Sequence, residues 1–427
     1  MGAMADTDAR IHDAIAATES DMLAWLVGLV RTPSTFGREA DAQRYVEDGY
    51  AAAGLRTDLF EPTLQGLLRS PHATPVPWDY VGRPNVVGVW RGAGGGRSIT
   101  LNGHIDVVDP GPREDWTVDP WAGEVRDGHL YGRGATDMKA GLAQMLWAVR
   151  GLQHAGIRLQ GDVVLQSVLE EETTGNGTLA CCLRGYRTDA AILGEPTGLR
   201  IRLAQSTIAG FAIDLRGRVG THLERHERVN AHDVAVWLAA RVLAYQDVRN
   251  ARVTHPSDAT LRTPTLCTVS RITGADWPDH VALRCTIEGR LAGLPTEDVQ
   301  SVREGFAAYL AEVAREHPWL TQTPPSLRWI AKQVPGSIMD PHDPFLEHLA
   351  AAHRRHHGDD AGHQIAVGYC DMWQFQRLQG IPVTAYGPIG ENSHAPDERV
   401  DLESVRVAAT VIAKTLVDWC GIAADAA

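Results

Sequence analysis

A histidine and an aspartate stand two positions apart in the segment LNGHIDVV, as His104 and Asp106. The segment is apolar and is bounded by Gly and Pro, so it predicts a buried strand. Side chains two apart on a strand point to the same face, which puts the imidazole beside the carboxylate. A carboxylate commonly orients a metal-bound histidine in this way. An isolated His-x-Asp pair is more often structural, because buried polar groups need hydrogen-bond partners.

Further polar residues make metal chemistry the better interpretation. Asp137 lies in the glycine-rich loop YGRGATDMK, directly before an apolar periodic segment, 138–152, that predicts a helix. Acidic residues also follow two other predicted strands, as the three glutamates of EEETTGNGT and as Glu195 in GEPTG. In alternating strand–helix folds, ligands bind at the carboxyl ends of the strands. His394, in a loop after a strand near the C-terminus, completes the candidate ligands.

Length and composition limit the other possibilities. A chain of 427 residues is too long for one ordinary core, so two domains are expected. The formal net charge of −13 argues against nucleic-acid partners and anionic membrane surfaces. No apolar run approaches the ~20 residues of a membrane span. The six cysteines lack CxxC spacing and the N-terminus lacks a signal-peptide pattern, so we expect a reducing, cytoplasmic location.

Hydrophobic periodicity divides the chain into two patterns. Strands and helices alternate at first, which predicts an α/β domain with a doubly wound, mostly parallel sheet. Later the order becomes strand–helix–strand–strand–helix, which is typical of an α+β layer. The first pattern then resumes with predicted helices at 344–357 and 402–420. We therefore predict a catalytic, metal-binding domain formed by 1–207 and 331–427, and an inserted α+β domain at 208–330.

These motifs together resemble the dinuclear metallohydrolases of the family of aminoacylase, acetylornithine deacetylase, succinyl-diaminopimelate desuccinylase and glutamate carboxypeptidase. The matching segments, in the family's order, are GHIDVV, DWTVDPWAGEVRDGHLYGRGATDMKAG, EEETTGNGT, GEPTG and YGPIGENSHAPDE. The resemblance implies two divalent metal ions, zinc in the first place and manganese or cobalt as alternatives, and a small-molecule substrate. The metal ligands that it implies are His104, Asp137, Glu172, Glu195 and His394.

The resemblance also implies a role for each residue of the site. Asp137 bridges the two ions, and Asp106 orients the histidine beside it. Water activated by the metals would attack the carbon of the C–N bond, with Glu171 as the general base. Alignment with the family puts the functional pair at Glu171 and Glu172 and leaves Glu170 as an ordinary acid. The residue chemistry agrees, because imidazole and carboxylate ligands suit zinc, manganese and cobalt.

In this family the inserted domain usually forms a homodimer. A histidine from a GxxxxH segment reaches the partner's active site and helps to stabilise the oxyanion of the reaction. The corresponding segment is GRVGTHLERHERVNAHD, which assigns this role to His222, with His226 as a second candidate. The match is imperfect, because the usual Pro and Gly after the histidine are missing and the spacing to Asn230 is one residue short.

The sequence departs from the family where the substrate would bind. Amide-cleaving relatives often carry an arginine before the last strand, whereas GYCDMWQF puts Trp373 at that position. An indole removes a bidentate carboxylate clamp and supplies a flat apolar wall. We therefore expect Trp373 and Asp371 to contact the substrate, together with Arg290 from the inserted domain.

One further cluster resembles a metal site. The histidines 353, 356 and 357 stand close together in a predicted helix. We interpret them as a solvated helix face, because polar side chains are usually exposed.

Three functions fit these observations. Hydrolysis of an N-acyl amino acid, the commonest activity of relatives, is the function that we predict. The alternative is hydrolytic deamination of an aromatic amine, as in the nitroanthranilate aminohydrolase branch. A non-catalytic binding protein on the same fold is disfavoured, because the five ligands and the base are all present. An arginine clamp in the pocket would favour the first function, and a flat aromatic slot the second.

Overall fold

The computed structural model describes residues 2–219, 228–253, 264–274, 281–365 and 368–424. The chain forms two compact units. The first unit comprises Met1–Leu203, Met339–Gln364 and Cys370–Ala427, and the second comprises Ala204–Ile338 and Ile365–Tyr369. All five predicted metal ligands belong to the first unit.

The helices and strands are numbered in chain order. The helices are α1 Gly2–Ala17, α2 Glu19–Val30, α3 Ala40–Ala52, α4 Leu64–Leu67, α5 Ala140–His154, α6 Asn176–Leu183, α7 Ala231–Asn250, α8 Val299–Ala314, α9 Pro344–His357 and α10 Leu402–Cys420. The strands are β1 Arg56–Phe60, β2 Asn85–Trp90, β3 Ile99–His104, β4 Glu124–Arg126, β5 His129–Tyr131, β6 Val163–Val168, β7 Ala191–Leu193, β8 Ile201–Gln205, β9 Ile208–Arg216, β10 Leu266–Gly274, β11 Arg284–Ala292, β12 Ser326–Val334, β13 Ser337–Ile338, β14 His363–Ile365, β15 Val383–Ala385, β16 Gly390–Glu391 and β17 Arg399–Asp401.

A large sheet organises the first unit, with its strands in the order β1-β2-β6-β3-β7-β15-β8. The four central strands, β6, β3, β7 and β15, run parallel. Strands β3 and β6 are buried along their whole length, as expected for parallel strands covered on both faces. The pairs at either side of this centre are antiparallel. The predicted α/β class with a mostly parallel sheet is confirmed.

Two long helices of the first unit are buried around most of their circumference. Helices α5 and α10 are apolar on nearly every side, which is the pattern of a helix inside a large core. Helix α5 approaches β7 closely, because a side-chain carbon on Gly141 would lie 2.1 Å from the main-chain oxygen of Gly194. Glycine at this contact lets the start of α5 meet the end of β7, beside Glu195.

A second, small sheet of the first unit has the order β16-β17-β5-β4. Strand β17 pairs antiparallel with β5, and Val400 lies opposite Leu130. The loop that contains His394 joins β16 to β17, and the turn that contains Asp137 follows β5. This pairing therefore brings together two segments that carry predicted ligands and are far apart in the sequence.

The second unit is an antiparallel sheet with helices. Its strands have the order β10-β11-β9-β12, and residues of α7 and α8 share one apolar core with residues of the sheet. Strand β12 was not predicted from the sequence, and neither was helix α1 in the first unit. Helix α1 buries few residues, among them Ile11 and Ile15, so its apolar pattern is weak. In the described part of the chain, every helix is too short or too polar to cross a membrane.

Candidate metal centre

The carboxyl ends of three neighbouring parallel strands form the base of the site. His104 is the last residue of β3, the run Glu170–Glu172 follows β6, and Glu195 follows β7. Strand β3 pairs in parallel with both β6 and β7, and His104 lies in register with Val168. Residues that follow parallel strands emerge at one edge of the sheet, so their side chains meet there.

Asp137 lies between two histidines. Its Oδ1 atom is 3.1 Å from Nε2 of His104, and its Oδ2 atom is 3.3 Å from Nε2 of His394. Burial alone would raise the pKa of Asp137, but the contacts with His104 and His394 outweigh burial and lower it. One oxygen for each imidazole is the arrangement that a carboxylate bridging two cations needs.

The predicted ligands form two overlapping groups that share Asp137. In each group the ligand atoms all lie within 4.8 Å of one another. The first group is His104, Asp137 and Glu195, and the second is Asp137, Glu172 and His394. Nε2 of His394 also lies 2.8 Å from Oε1 of Glu172. The family resemblance implies the same division, in which His104 and Glu195 complete one metal site and Glu172 and His394 complete the other.

Electrostatic repulsion among buried acids supports a role for cations here. Burial raises the pKa of Asp106 to about 7, and burial together with the charge of Asp137 raises the pKa of Glu195 to about 7. The contacts with Asp137 and Glu172 raise the pKa of His394 to about 10. Nitrogen and oxygen donors packed this closely fit two divalent cations, which would offset the repulsion.

Asp106 makes different contacts from those predicted. Nδ1 of His104 lies 2.8 Å from the main-chain oxygen of Asp106 and 3.7 Å from its carboxylate. The carboxylate instead accepts hydrogen bonds from the main-chain N–H groups of Glu171 at 3.1 Å and Glu172 at 3.0 Å. Asp106 thus orients the histidine through its backbone, and its side chain holds the two glutamates in place.

Glu170 is fully engaged by hydrogen-bond donors. Its carboxylate accepts from Trp78 Nε1 at 2.8 Å, Tyr80 Oη at 2.9 Å, Arg83 Nη1 at 2.7 Å and Thr174 Oγ1 at 2.8 Å. The side chain is completely buried. Both carboxylate oxygens are thus occupied by an arginine and three other donors. Its surroundings agree with its interpretation as an ordinary acid.

Glu171 directly follows Glu170 in the chain. A carboxylate oxygen of Glu171 lies in one group with His104 and Glu172, with all ligand atoms within 4.8 Å. Its side chain is buried beside the cluster. Its predicted role as general base stays a prediction, and this position is compatible with it.

Glu398 is a residue of the site that the sequence analysis missed. Its buried carboxylate accepts from the main-chain N–H groups of Gly134 at 2.9 Å, Thr136 at 3.0 Å and Asp137 at 3.0 Å, and it pairs with Arg133. It therefore holds the turn that presents Asp137. The available signal was its place in the segment ENSHAPDE, four residues after His394.

Two predicted substrate contacts are buried in the first unit. Trp373 is 2% exposed, and its ring centroid lies 5.6 Å from that of His72. Asp371 accepts hydrogen bonds from Thr178 Oγ1 at 2.5 Å and from Gln374 Nε2 at 3.2 Å. Because the indole is so deeply buried, it presents little surface on which a substrate can stack. The substrate roles of both residues stay predictions.

The other predicted residues lie elsewhere. Arg290 is an exposed residue of β11 in the second unit, and its role stays a prediction. His222 and His226 lie outside the described residues. The interpretation of the histidine cluster as a solvated face is wrong for His353, which is 3% exposed and contacts Tyr386.

An aromatic pair lies close to the site. The rings of Phe36 and Trp78 meet edge to face with centroids 4.8 Å apart, and Phe36 is 45% exposed. The chain next to Phe36 is joined to the end of β3, because the main-chain N–H of Val107 donates to the oxygen of Ser34. Trp78 donates to Glu170, directly before the predicted base. Both rings are therefore anchored to segments that carry the site.

Comparison with known proteins agrees with the fold and identifies the family. Residues 100–418 match the model of Peptidase family M20/M25/M40, and the chain belongs to this family. The family is dinuclear metal-binding, and the two groups around Asp137 are candidates for the ligands. The protein is accordingly an enzyme, a metal-dependent amidohydrolase.

Two curated relatives match this chain over most of their length. The N-formyl-4-amino-5-aminomethyl-2-methylpyrimidine deformylase of Bacillus subtilis is 28% identical over 371 residues, which cover 80% of this chain and 85% of the relative. A succinyl-diaminopimelate desuccinylase of Bordetella petrii is 26% identical over 419 residues, covering 93% and 97%. Among solved structures, the dipeptidase Dug1p of Saccharomyces cerevisiae superimposes with a TM-score of 0.74 at 14% identity, covering 97% and 98%. This last likeness establishes the fold alone.

Proposed function

We propose that the protein removes a short acyl group from an amine, by hydrolysis of the amide bond of a small N-acyl compound. Water adds to the carbonyl carbon, the C–N bond breaks, and the products are a carboxylic acid and a free amine. The placement of Asp137, with one oxygen facing His104 and the other facing His394, carries this proposal. This placement supports a dinuclear metal centre, and such centres catalyse hydrolysis by polarising the carbonyl group and activating water.

Residues of the chain would carry out and support the proton transfers of the reaction. When bound, two divalent cations would polarise the carbonyl and make water more acidic. Glu171 takes the proton from the attacking water and delivers it to the leaving nitrogen. Asp106 supports this step, because its carboxylate holds the main-chain N–H groups of Glu171 and Glu172. The leaving amine needs that proton, since an unprotonated amide anion is a poor leaving group.

The relatives support acyl removal as the reaction. By their names, one releases a formyl group and the other a succinyl group from nitrogen. The first acts on a heteroaromatic amine whose name includes no carboxyl group. In this chain Trp373 stands where many relatives have an arginine that meets a substrate carboxylate. We therefore favour an N-acyl amine with a flat aromatic part, and N-acyl amino acids remain the next candidate.

The pair of Phe36 and Trp78 supports an aromatic substrate. Edge-to-face rings present an apolar face and an apolar edge, and an additional aromatic ring in contact contributes about 0.5–1.5 kcal/mol beyond its buried area. The guanidinium of Arg83 lies over the ring of Phe36, 4.5 Å from its centre, and helps to hold that ring in place. In this proposal the aromatic part of the substrate lies against Phe36 while its amide reaches the metal centre.

A substrate panel tests the proposal. Metal-loaded protein is incubated with N-formyl and N-acetyl derivatives of arylmethylamines, with N-acyl amino acids and with 5-nitroanthranilate, and the released amine and ammonia are measured. We expect release of amine from the N-acyl arylmethylamines. Phe36→Ala should lower kcat/KM for these compounds by roughly 2–10-fold, as expected for loss of one stacking contact. The same substitution should leave kcat/KM for N-acyl derivatives of aliphatic amines unchanged.

Each other outcome has a distinct meaning. Amine release from N-acyl amino acids alone would keep amide hydrolysis and overturn the aromatic substrate. Release of ammonia from 5-nitroanthranilate, without amide hydrolysis, would overturn the proposal in favour of the deaminase alternative. The exposed Val81, close to Trp78 in the sequence, provides a matched control, because Val81→Ala removes an apolar side chain that is 76% exposed.

A further inference from the structure

Two histidines and an aspartate form a compact cluster at the end of α9. His353 and His357 are one helical turn apart, and their rings are stacked with centroids 5.1 Å apart and planes inclined by 3°. Asp359 follows after Gly358, whose positive φ of 90° turns the chain back. One ligand atom from each of the three side chains lies within 4.8 Å of the others.

The distances within this cluster are those of ligands around one ion. Oδ1 of Asp359 lies 3.3 Å from Nδ1 of His357 and 3.7 Å from Nε2 of His353. Strong hydrogen bonds to a carboxylate are shorter, at about 2.7–2.9 Å. Ligand atoms at 2.0–2.1 Å from a tetrahedral zinc ion are about 3.4 Å apart. These distances suit one ion, and the exposed ring of His357 would turn from its stacked position so that the in-plane lone pairs of both imidazoles meet at that ion.

The buried histidine is already oriented as a ligand. Nδ1 of His353 lies 2.8 Å from the hydroxyl of Tyr386, which leaves Nε2 facing Asp359. A partner on the second ring nitrogen is what orients metal-bound histidines and selects their tautomer.

We propose that His353, His357 and Asp359 form a third metal site, separate from the dinuclear centre. Two imidazoles and one carboxylate are the ligand set of zinc, and of nickel or copper ions, rather than of magnesium or calcium. Three protein ligands leave the remaining positions to water. Such an ion would fasten the end of α9 to the turn after it, and through Tyr386 to the end of β15.

The substitution His357→Ala tests the site, with His356→Ala as its matched control. His357 is exposed, so its loss leaves the packing of the core intact, and His356 is the adjacent histidine on the same helix but outside the cluster. Full-length wild-type protein and both variants are equilibrated with micromolar free Zn²⁺, and the bound zinc per chain is measured by mass spectrometry. A second variant, Asp359→Asn, removes the carboxylate.

We expect His357→Ala and Asp359→Asn to bind one equivalent of zinc less than the wild type, and His356→Ala to bind as much as the wild type. The test compares the zinc content of each variant with that of the wild type. Zinc at the dinuclear centre contributes equally to both values, so its occupancy does not affect the difference. Amide hydrolysis by metal-loaded His357→Ala should equal that of the wild type. Equal zinc content in all four proteins would overturn the proposal and leave the cluster as an ion pair only.

Discussion

The buried carboxylate of Glu398 accepts a hydrogen bond at 3.0 Å from the main-chain N–H of Asp137, although the two residues are 261 positions apart. Two more N–H groups of the same turn donate to this carboxylate, at Gly134 and Thr136. The candidate bridging ligand is thus held by a carboxylate that is itself absent from the ligand groups. Partners of this kind hold a metal ligand in the orientation that binding requires.

Replacement of Glu398 should weaken metal binding. Glu398→Gln replaces one acceptor oxygen by an NH₂ group that faces N–H donors, so the turn that presents Asp137 loses its support. We expect the dissociation constant for zinc to rise about 10–100-fold, measured by competition with a chelator. Glu391→Gln, an exposed glutamate of the same segment that pairs with Arg399, is the control and should bind zinc normally. Normal zinc binding by Glu398→Gln would contradict this role.

Glu171→Gln should abolish catalysis without removing metal. An amide cannot accept the proton of the attacking water, so kcat should fall about 10²–10⁴-fold. The folded structure and the zinc content should match those of the wild type, as checked by circular dichroism and mass spectrometry. Substantial remaining activity would assign the base to another residue.

Glu170→Gln should lower stability and spare the chemistry. The change removes the charge that Arg83 and three other donors share, and a lost hydrogen bond to a charged group costs about 1.5–3 kcal/mol. Urea unfolding should show this loss. The value of kcat for the remaining folded enzyme should stay within a few-fold of wild type. A loss of kcat as large as that of Glu171→Gln would show that Glu170 takes part in proton transfer.

Metal uptake should strengthen as the pH rises. In the metal-free protein the pKa of Glu195 is raised to about 7 and that of His394 to about 10, so both groups hold protons below those values. A cation displaces these protons, and its apparent affinity rises with pH until both groups are deprotonated. Calorimetry in buffers of different ionisation enthalpy should detect proton release at pH 6–7. Uptake without proton release would contradict the raised pKa values.

The predicted homodimer gives a test of His222. If the partner's His222 completes each site, Glu171→Gln and His222→Ala are inactive alone but complement each other in a mixed dimer. Random exchange makes half of the dimers mixed, with one intact site in each, so activity should recover to about a quarter of wild type. Light scattering checks the dimer first. No recovery after proven subunit exchange would mean that His222 acts within its own chain or not at all.

Much of the site follows from local sequence patterns. Three apolar runs identify strands and their carboxyl ends. One run ends at His104, one is followed by the three glutamates after Val168, and one is followed by Glu195. The rule that parallel strands present ligands at one edge of the sheet then predicts that these residues lie close together. The helices Pro344–His357 and Leu402–Cys420 were predicted at their observed bounds, because strong periodicity and clear ends coincide there.

Tertiary packing decided the contacts that local patterns do not encode. Strand spacing predicted the side chain of Asp106 beside His104. In the structure its carboxylate accepts hydrogen bonds from the main-chain N–H groups of Glu171 and Glu172, in the loop after β6. The usual exposure of polar residues predicted a surface position for His353, but the ring is buried and contacts Tyr386. Periodicity reports which face of one element is apolar, whereas a hydrogen bond between distant segments depends on how whole elements pack. That is why the sequence determined the ligand types and strand ends, and only the structure revealed Glu398 and the partners of Asp106.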